Sequence, residues 1–137
     1  MITGLNHLTI NVTDLEKAKQ FYETVFELVQ TGSVNMGDHT LTYYDLGRGV
    51  RLELIDYEHK DQPAAVKETL PGTYRHMCVE VEKTEDLHEI VRRCRTLGCG
   101  VRQEPAFVEK LGCTNILLTD PSGVEIEVFC YPEGKRS

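Results

Sequence analysis

Two stretches of this 137-residue chain repeat one another, and an internal repeat restricts the possible folds more than any single motif. Asn6-His7-Leu8-Thr9-Ile10-Asn11-Val12 is echoed by Arg75-His76-Met77-Cys78-Val79-Glu80-Val81. Gly49-Val50-Arg51-Leu52-Glu53-Leu54-Ile55 is echoed by Gly123-Val124-Glu125-Ile126-Glu127-Val128-Phe129. The segments alternate apolar and polar residues, the period-two pattern of a strand with one buried face. Each copy carries one His and one Glu at corresponding strand positions: His7 and Glu53, then His76 and Glu127.

The segments between these strands repeat as well. Thr13-Asp14-Leu15-Glu16 has the form of a capping box, with Thr13 as N-cap and Glu16 reaching back. Leu15, Ala18, Phe21, Tyr22, Val25 and Phe26 follow at helical spacing, which predicts three to four turns. Strands near 29–35, 40–46 and 50–56 come next, divided by Gly37-Asp38 and Gly47-Arg48-Gly49. In the second half Leu87, Ile90, Val91, Cys94 and Leu97 mark a helix that Gly98 can close in the left-handed conformation. Strands near 101–107, 114–119 and 124–130 complete it. The expectation is one α+β domain over 1–137, built of two βαβββ modules that form a curved mixed sheet around a cleft, helices outside. Module one runs from about 4 to 57, a connector from about 58 to 73 with a short helix near Ala64–Thr69, module two from about 74 to 131, and a loose tail over 132–137.

Net charge of −7 and the absence of a Lys/Arg-rich block argue against nucleic acid or an anionic membrane as partner, since phosphate surfaces call for a basic face. The first residues lack a basic start and an apolar signal core, and no run reaches transmembrane length, so a cytoplasmic protein is expected. Cys78, Cys94, Cys99, Cys113 and Cys130 are odd in number and show no CxxC spacing, which reads as reduced, mostly buried thiols.

Helices must cover the apolar strand faces, so His7, Glu53, His76 and Glu127 belong to the polar faces that line the cleft, together with Arg51 and Glu125. A lone His at a strand start is ordinarily a surface or satisfied core residue. Two equivalent His/Glu pairs are harder to explain that way, and they suggest one divalent metal site. Two imidazoles and two carboxylates suit Ni, Co, Mn, Fe or Zn, and leave two positions of an octahedral shell open for a substrate that chelates through neighbouring oxygens.

From Leu5 to Phe129 the chain resembles the vicinal oxygen chelate superfamily of glyoxalases, epimerases, extradiol dioxygenases and fosfomycin-resistance proteins. The resemblance is carried by His7 with Asp14-Leu15 leading to Phe21-Tyr22, and by Asp120-Pro121-Ser122-Gly123 before Glu127. It implies a glyoxalase I-like enzyme, whose His-Glu-His-Glu ligand pattern matches His7, Glu53, His76 and Glu127. The implied reaction turns the hemithioacetal of methylglyoxal and a low-molecular-weight thiol into a 2-hydroxyacyl thioester through an enediolate. Glu127 is the expected base, with Glu53 on the other side. The resemblance further implies a homodimer and favours a metal other than zinc.

Relatives of the methylmalonyl-CoA epimerase type are similar but carry Gln where this chain has Glu53. Fosfomycin thiol transferases resemble the opening Gly4-Leu5-Asn6-His7-Leu8-Thr9 and use three ligands, which would leave Glu53 a bystander. Metal-free drug-binding members lose the His/Glu set that is kept here. Other residues receive plainer readings. One of Tyr43 and Tyr44 is core and the other faces the cleft or solvent; His39, His59 and His88 are solvated; Asp120 forms a turn. Arg51, Arg75 and Lys110 either hold a substrate carboxylate or make surface pairs.

Overall fold

The computed structural model describes residues 1–61 and 71–133. The elements are β1 (His7–Asn11), α1 (Leu15–Val25), β2 (Gln30–Asn35), β3 (His39–Asp45), β4 (Arg51–Tyr57), β5 (Met77–Val81), α2 (Thr84–Thr96), β6 (Gly100–Val108), β7 (Cys113–Thr119) and β8 (Glu125–Cys130). This is βαβββ twice. The chain divides into two compact units, Met1–Pro63 and Ala64–Ser137, each holding one copy. The connector helix expected near 64–69 and the end of the expected tail, 134–137, lie outside the described residues.

Each unit forms its own four-stranded mixed sheet, ordered β1-β4-β3-β2 in the first and β5-β8-β7-β6 in the second. In each, the first strand pairs in parallel with the last, and the other neighbours run antiparallel. The registers correspond: His7 stands opposite Arg51 and Thr9 opposite Glu53, while Cys78 stands opposite Glu127. Both edge hairpins carry a bulge at the corresponding place, around Thr31 between Gln30 and Gly32, and around Arg102 between Val101 and Gln103.

The alternation seen in the sequence sorts the two faces of each sheet. Ile10, Tyr44, Leu52 and Leu54 are buried in the first unit, with Ala18, Phe21, Tyr22 and Val25 of α1. Ile116, Leu118, Ile126 and Val128 are buried in the second, with Leu87, Ile90, Val91 and Cys94 of α2. A fully buried Leu or Ile contributes about 1.5–3 kcal/mol, so these faces supply the main driving force. The Tyr44 hydroxyl donates to Glu23 at 2.7 Å, which ties β3 to α1 and makes Tyr44 the core member of the tyrosine pair.

Two helix ends deserve comparison with expectation. Asp14, not Thr13, is the N-cap of α1: its backbone is extended and its Oδ1 accepts from the Lys17 amide at 3.1 Å. A carboxylate satisfies a free amide and also meets the positive end of the helix dipole, which a threonine cannot do. The α2 terminus follows the expected form. Gly98 has φ +71°, its amide donates to Arg95 O, and the Cys99 amide donates to Cys94 O, the paired bonds of a Schellman motif.

Candidate metal centre

In the first unit β1 and β4 bring His7 and Glu53 to the same sheet face. Glu53 is buried, and its carboxylate accepts from the Thr9 hydroxyl at 3.0 Å and from the Tyr43 hydroxyl. Burial alone would raise its pKa, but these two hydrogen bonds and the neighbouring His7 and Arg51 outweigh it, and the carboxyl is held below its ordinary range. The same bond pushes the Tyr43 phenol upward, so Tyr43 stays a donor. Tyr43 is therefore the tyrosine on the sheet face of Glu53, and the Arg51 guanidinium stacks over its ring at 4.7 Å.

The His7 ring is oriented by its neighbour. Its Nδ1 lies 2.7 Å from Asn6 Oδ1, and the Arg51 guanidinium donates to the same atom at 3.0 Å. Because arginine has no acceptor, the shared atom is the amide oxygen, and Nδ1 must carry the proton. Nε2 is left with its lone pair, the arrangement a metal-ligating imidazole takes.

In the second unit both ring nitrogens of His76 meet carboxylates. Nδ1 lies 2.9 Å from Glu125 Oε1, and Nε2 lies 2.9 Å from Glu127 Oε2. Glu127 Oε1 accepts from Asn115 Nδ2 at 2.7 Å, and Asn115 Oδ1 accepts from Gln103 Nε2 at 2.5 Å. Glu125 is buried and is further paired with Arg102 at 2.5 Å and Arg75 at 3.3 Å. The bulge in β6 explains this reach: it turns the consecutive Arg102 and Gln103 toward one sheet face, where they meet Glu125 and Asn115 respectively.

Each His/Glu pair expected from the sequence is thus brought together within its own unit. Glu125 and Glu127 approach His76 through different ring nitrogens rather than converging, and among the described residues no three His, Cys, Asp or Glu side chains form a ready-made metal cluster. The donor chemistry nevertheless fits a divalent ion: each unit offers an oriented imidazole with its Nδ1 anchored, and a hydrogen-bonded carboxylate on the same face.

Several supporting residues were not singled out by pattern. Asn115 is a lone amide in the apolar run Asn115-Ile116-Leu117-Leu118, and a buried amide needs partners, so it was legible in principle. Arg102 and Gln103 were not, because a bulge breaks the alternation that would place them. Of the remaining readings, Arg75 pairs with Glu125, while Lys110 is exposed in the turn after β6. His59 and His88 are exposed as expected. His39 differs, since it lies in β3, half-buried, 2.6 Å from Asp38 and against the Tyr57 ring. Asp120 is the turn former: its side chain accepts from the Ser122 and Val124 amides at 2.9 Å each. The five cysteines are free; Cys94, Cys113 and Cys130 are buried, Cys99 is partly buried, and Cys78 is exposed. Among the described residues no helix is long and apolar enough to cross a membrane.

Comparison with known proteins places this architecture. The chain is 33% identical over 82 residues to mitochondrial methylmalonyl-CoA epimerase of Bos taurus, a match covering 57% of the chain and 46% of the epimerase, so it spans about half of that relative's length. It is 27% identical over 116 residues to fosfomycin resistance protein FosX of Listeria innocua, covering 82% of the chain and 78% of that protein. FosX from Listeria monocytogenes, solved with Mn(II) and dihydroxypropylphosphonic acid, superposes with a TM-score of 0.70 at 22% identity, covering 97% of this chain and 94% of that one. The model of one family matches residues 4–128, nearly all of the two repeats: the chain belongs to the Glyoxalase/Bleomycin resistance protein/Dioxygenase superfamily.

Proposed function

We propose that the chain is a divalent-metal-dependent enzyme that moves a proton beside a substrate carbonyl, as a lyase/isomerase of the glyoxalase I type. His7, Glu53, His76 and Glu127 are its four ligands, and the active form is a homodimer. The observation that carries this reading is the correspondence of Glu53 and Glu127. Each sits on the last strand of its sheet, opposite the residue two places after the histidine, and each is held by hydrogen bonds on the histidine's face.

A divalent ion held by His7, Glu53, His76 and Glu127 would supply Lewis acidity that polarises the carbonyl and acidifies the adjacent C–H. The protein groups do the remainder. Glu127, the more exposed of the two carboxylates, takes the proton and returns it to the neighbouring carbon, while Asn115 keeps its other oxygen fixed. Glu53, held ionised by Thr9 and Tyr43, faces the opposite side. His7 presents Nε2 because its Nδ1 is engaged by Asn6, and His76 directs Nε2 at Glu127 because its Nδ1 is held by Glu125. The substrate is the hemithioacetal of methylglyoxal with a low-molecular-weight thiol.

A second reading is favoured by the 33% identity to the bovine epimerase: the same proton transfer, returned to the same carbon of a chiral acyl thioester. Proton NMR in D₂O separates the two. Metal-reconstituted protein given methylglyoxal and a panel of thiols should form the 2-hydroxyacyl thioester. Solvent deuterium entering a chiral acyl thioester without net isomerisation would instead establish the epimerase. Failure to bind any divalent ion at micromolar concentration would remove both.

A further inference from the structure

We infer that Glu125 is a positioning residue, which clamps the His76 ring through Nδ1 and so turns Nε2 to the face occupied by Glu127. The inference rests on the reading of His76 as a ligand, but its geometry lies wholly within the second unit. Glu125 is 8% exposed, and a carboxylate so buried persists only where its charge is compensated. Three groups compensate it: Arg102 at 2.5 Å on Oε2, and Arg75 at 3.3 Å and His76 Nδ1 at 2.9 Å on Oε1.

Both carboxylates accept from the ring: Nδ1 donates to Oε1 of Glu125, while Nε2 is directed at Oε2 of Glu127. The ring is thereby held in one orientation. Arg102 matters because it occupies the other oxygen, leaving Oε1 for the imidazole, and the β6 bulge is what aims Arg102 there. The corresponding residue of the first unit is Arg51, and that strand folds with the opposite sign.

Nitrogen-15 NMR of histidine-labelled, metal-free protein tests this directly. In the unsubstituted protein the His76 Nδ1 should carry a proton hydrogen-bonded to Glu125, and in Glu125→Ala the signal of that bond should be lost. Isothermal titration with Mn²⁺ or Ni²⁺ should show affinity about 10- to 100-fold weaker for Glu125→Ala. Glu125→Asp, which keeps the charge, should recover part of that loss. A bare Nδ1 in the unsubstituted protein overturns the inference, as does an Nδ1–H signal that Glu125→Ala leaves unchanged. The first of these needs no variant, so a Glu125→Ala protein that fails to fold does not protect the idea. If the unsubstituted protein binds no metal, the reading of the ligand set falls, while the NMR measurement still decides what Glu125 does to the ring.

Discussion

The two units use one backbone plan and support it with different chemistry. Strand order, register and bulge position correspond, and so do the His/Glu pairs. The groups behind them do not. His7 is oriented by the neutral carboxamide of Asn6, backed by Arg51; His76 is oriented by the buried carboxylate of Glu125, backed by Arg75 and Arg102. Glu53 leans on two hydroxyls, from Thr9 and Tyr43, whereas Glu127 leans on an amide chain through Asn115 to Gln103. At the bulge the first unit carries Thr31 and Gly32, and the second carries Arg102 and Gln103. The positions of the His and Glu side chains follow from the repeated ladder, while the groups that surround them are free to differ and can give equivalent residues unequal tasks.

The comparison is broken or sharpened most by the two glutamates. Glu127→Gln should lower kcat/KM by about 10³-fold on whichever substrate the thiol panel identifies, and Glu53→Gln by about 10²-fold, because only the former removes the proton carrier. Steady-state kinetics on both variants checks the inequality. A Glu53→Gln enzyme with full activity would favour the epimerase reading, where glutamine is accommodated.

A difference in thiols follows next. All five cysteines lie at or beyond position 78, so alkaline titration of thiols bears on the second unit alone. Burial pushes the Cys94 thiol up to about 11, and loss of solvent with the nearby Glu127 pushes Cys78 to about 12. A thiol with a raised folded pKa adds stability that is complete below its unfolded value of 9.0 and is lost as pH rises through the folded value. Urea unfolding should therefore weaken between pH 9 and about 11, on the order of 2 kcal/mol from Cys94, and Cys94→Val should flatten that limb. Cys78, although exposed, should alkylate slowly with iodoacetamide near neutrality.

The anchors of the histidines come third. Asn6→Ala should weaken metal binding by about tenfold, at the lower end of what outer-shell groups contribute, because it removes a neutral acceptor. A loss as large as that of Glu125→Ala would show that charge behind the ring is immaterial.

The smallest effect concerns the loops that lead into β4 and β8. Both close with the same backbone bond, Leu46 N to Val50 O and Asp120 N to Val124 O. The first places Gly47, Arg48 and Gly49 at positive φ, whereas the second uses Pro121, the Asp120 side chain and Gly123 alone at positive φ. Arg48 at φ 52° bears a left-handed strain that glycine would relieve, so Arg48→Gly should stabilise the fold by about 0.5 kcal/mol in thermal unfolding.

Much of this was legible in the sequence because strands with one buried face advertise themselves. The alternation of Leu52, Glu53 and Leu54 placed the glutamate opposite the core, and the repeat supplied its counterpart at Glu127. What local spacing could not resolve was competition between neighbours and events across the sheet. Thr13 and Asp14 both suit an N-cap, and the winner depends on which amide the side chain reaches. Glu125 could be placed on the cleft face, but its burial comes from Arg102, which a bulge turns inward from a strand two places away. His39 looked like a loop residue until β3 was seen to begin with it.

The parallel pairing of β1 with β4 and of β5 with β8 has one more consequence. The backbone ladder sets His7 against Arg51 and Thr9 against Glu53, and a slip by one residue would turn Leu52 and Leu54 to the polar face. The ladder therefore acts as a ruler: the register that hides the two leucines is the register that sets Glu53 against the Thr9 hydroxyl, so a mispaired chain would lose that bond and be sticky as well.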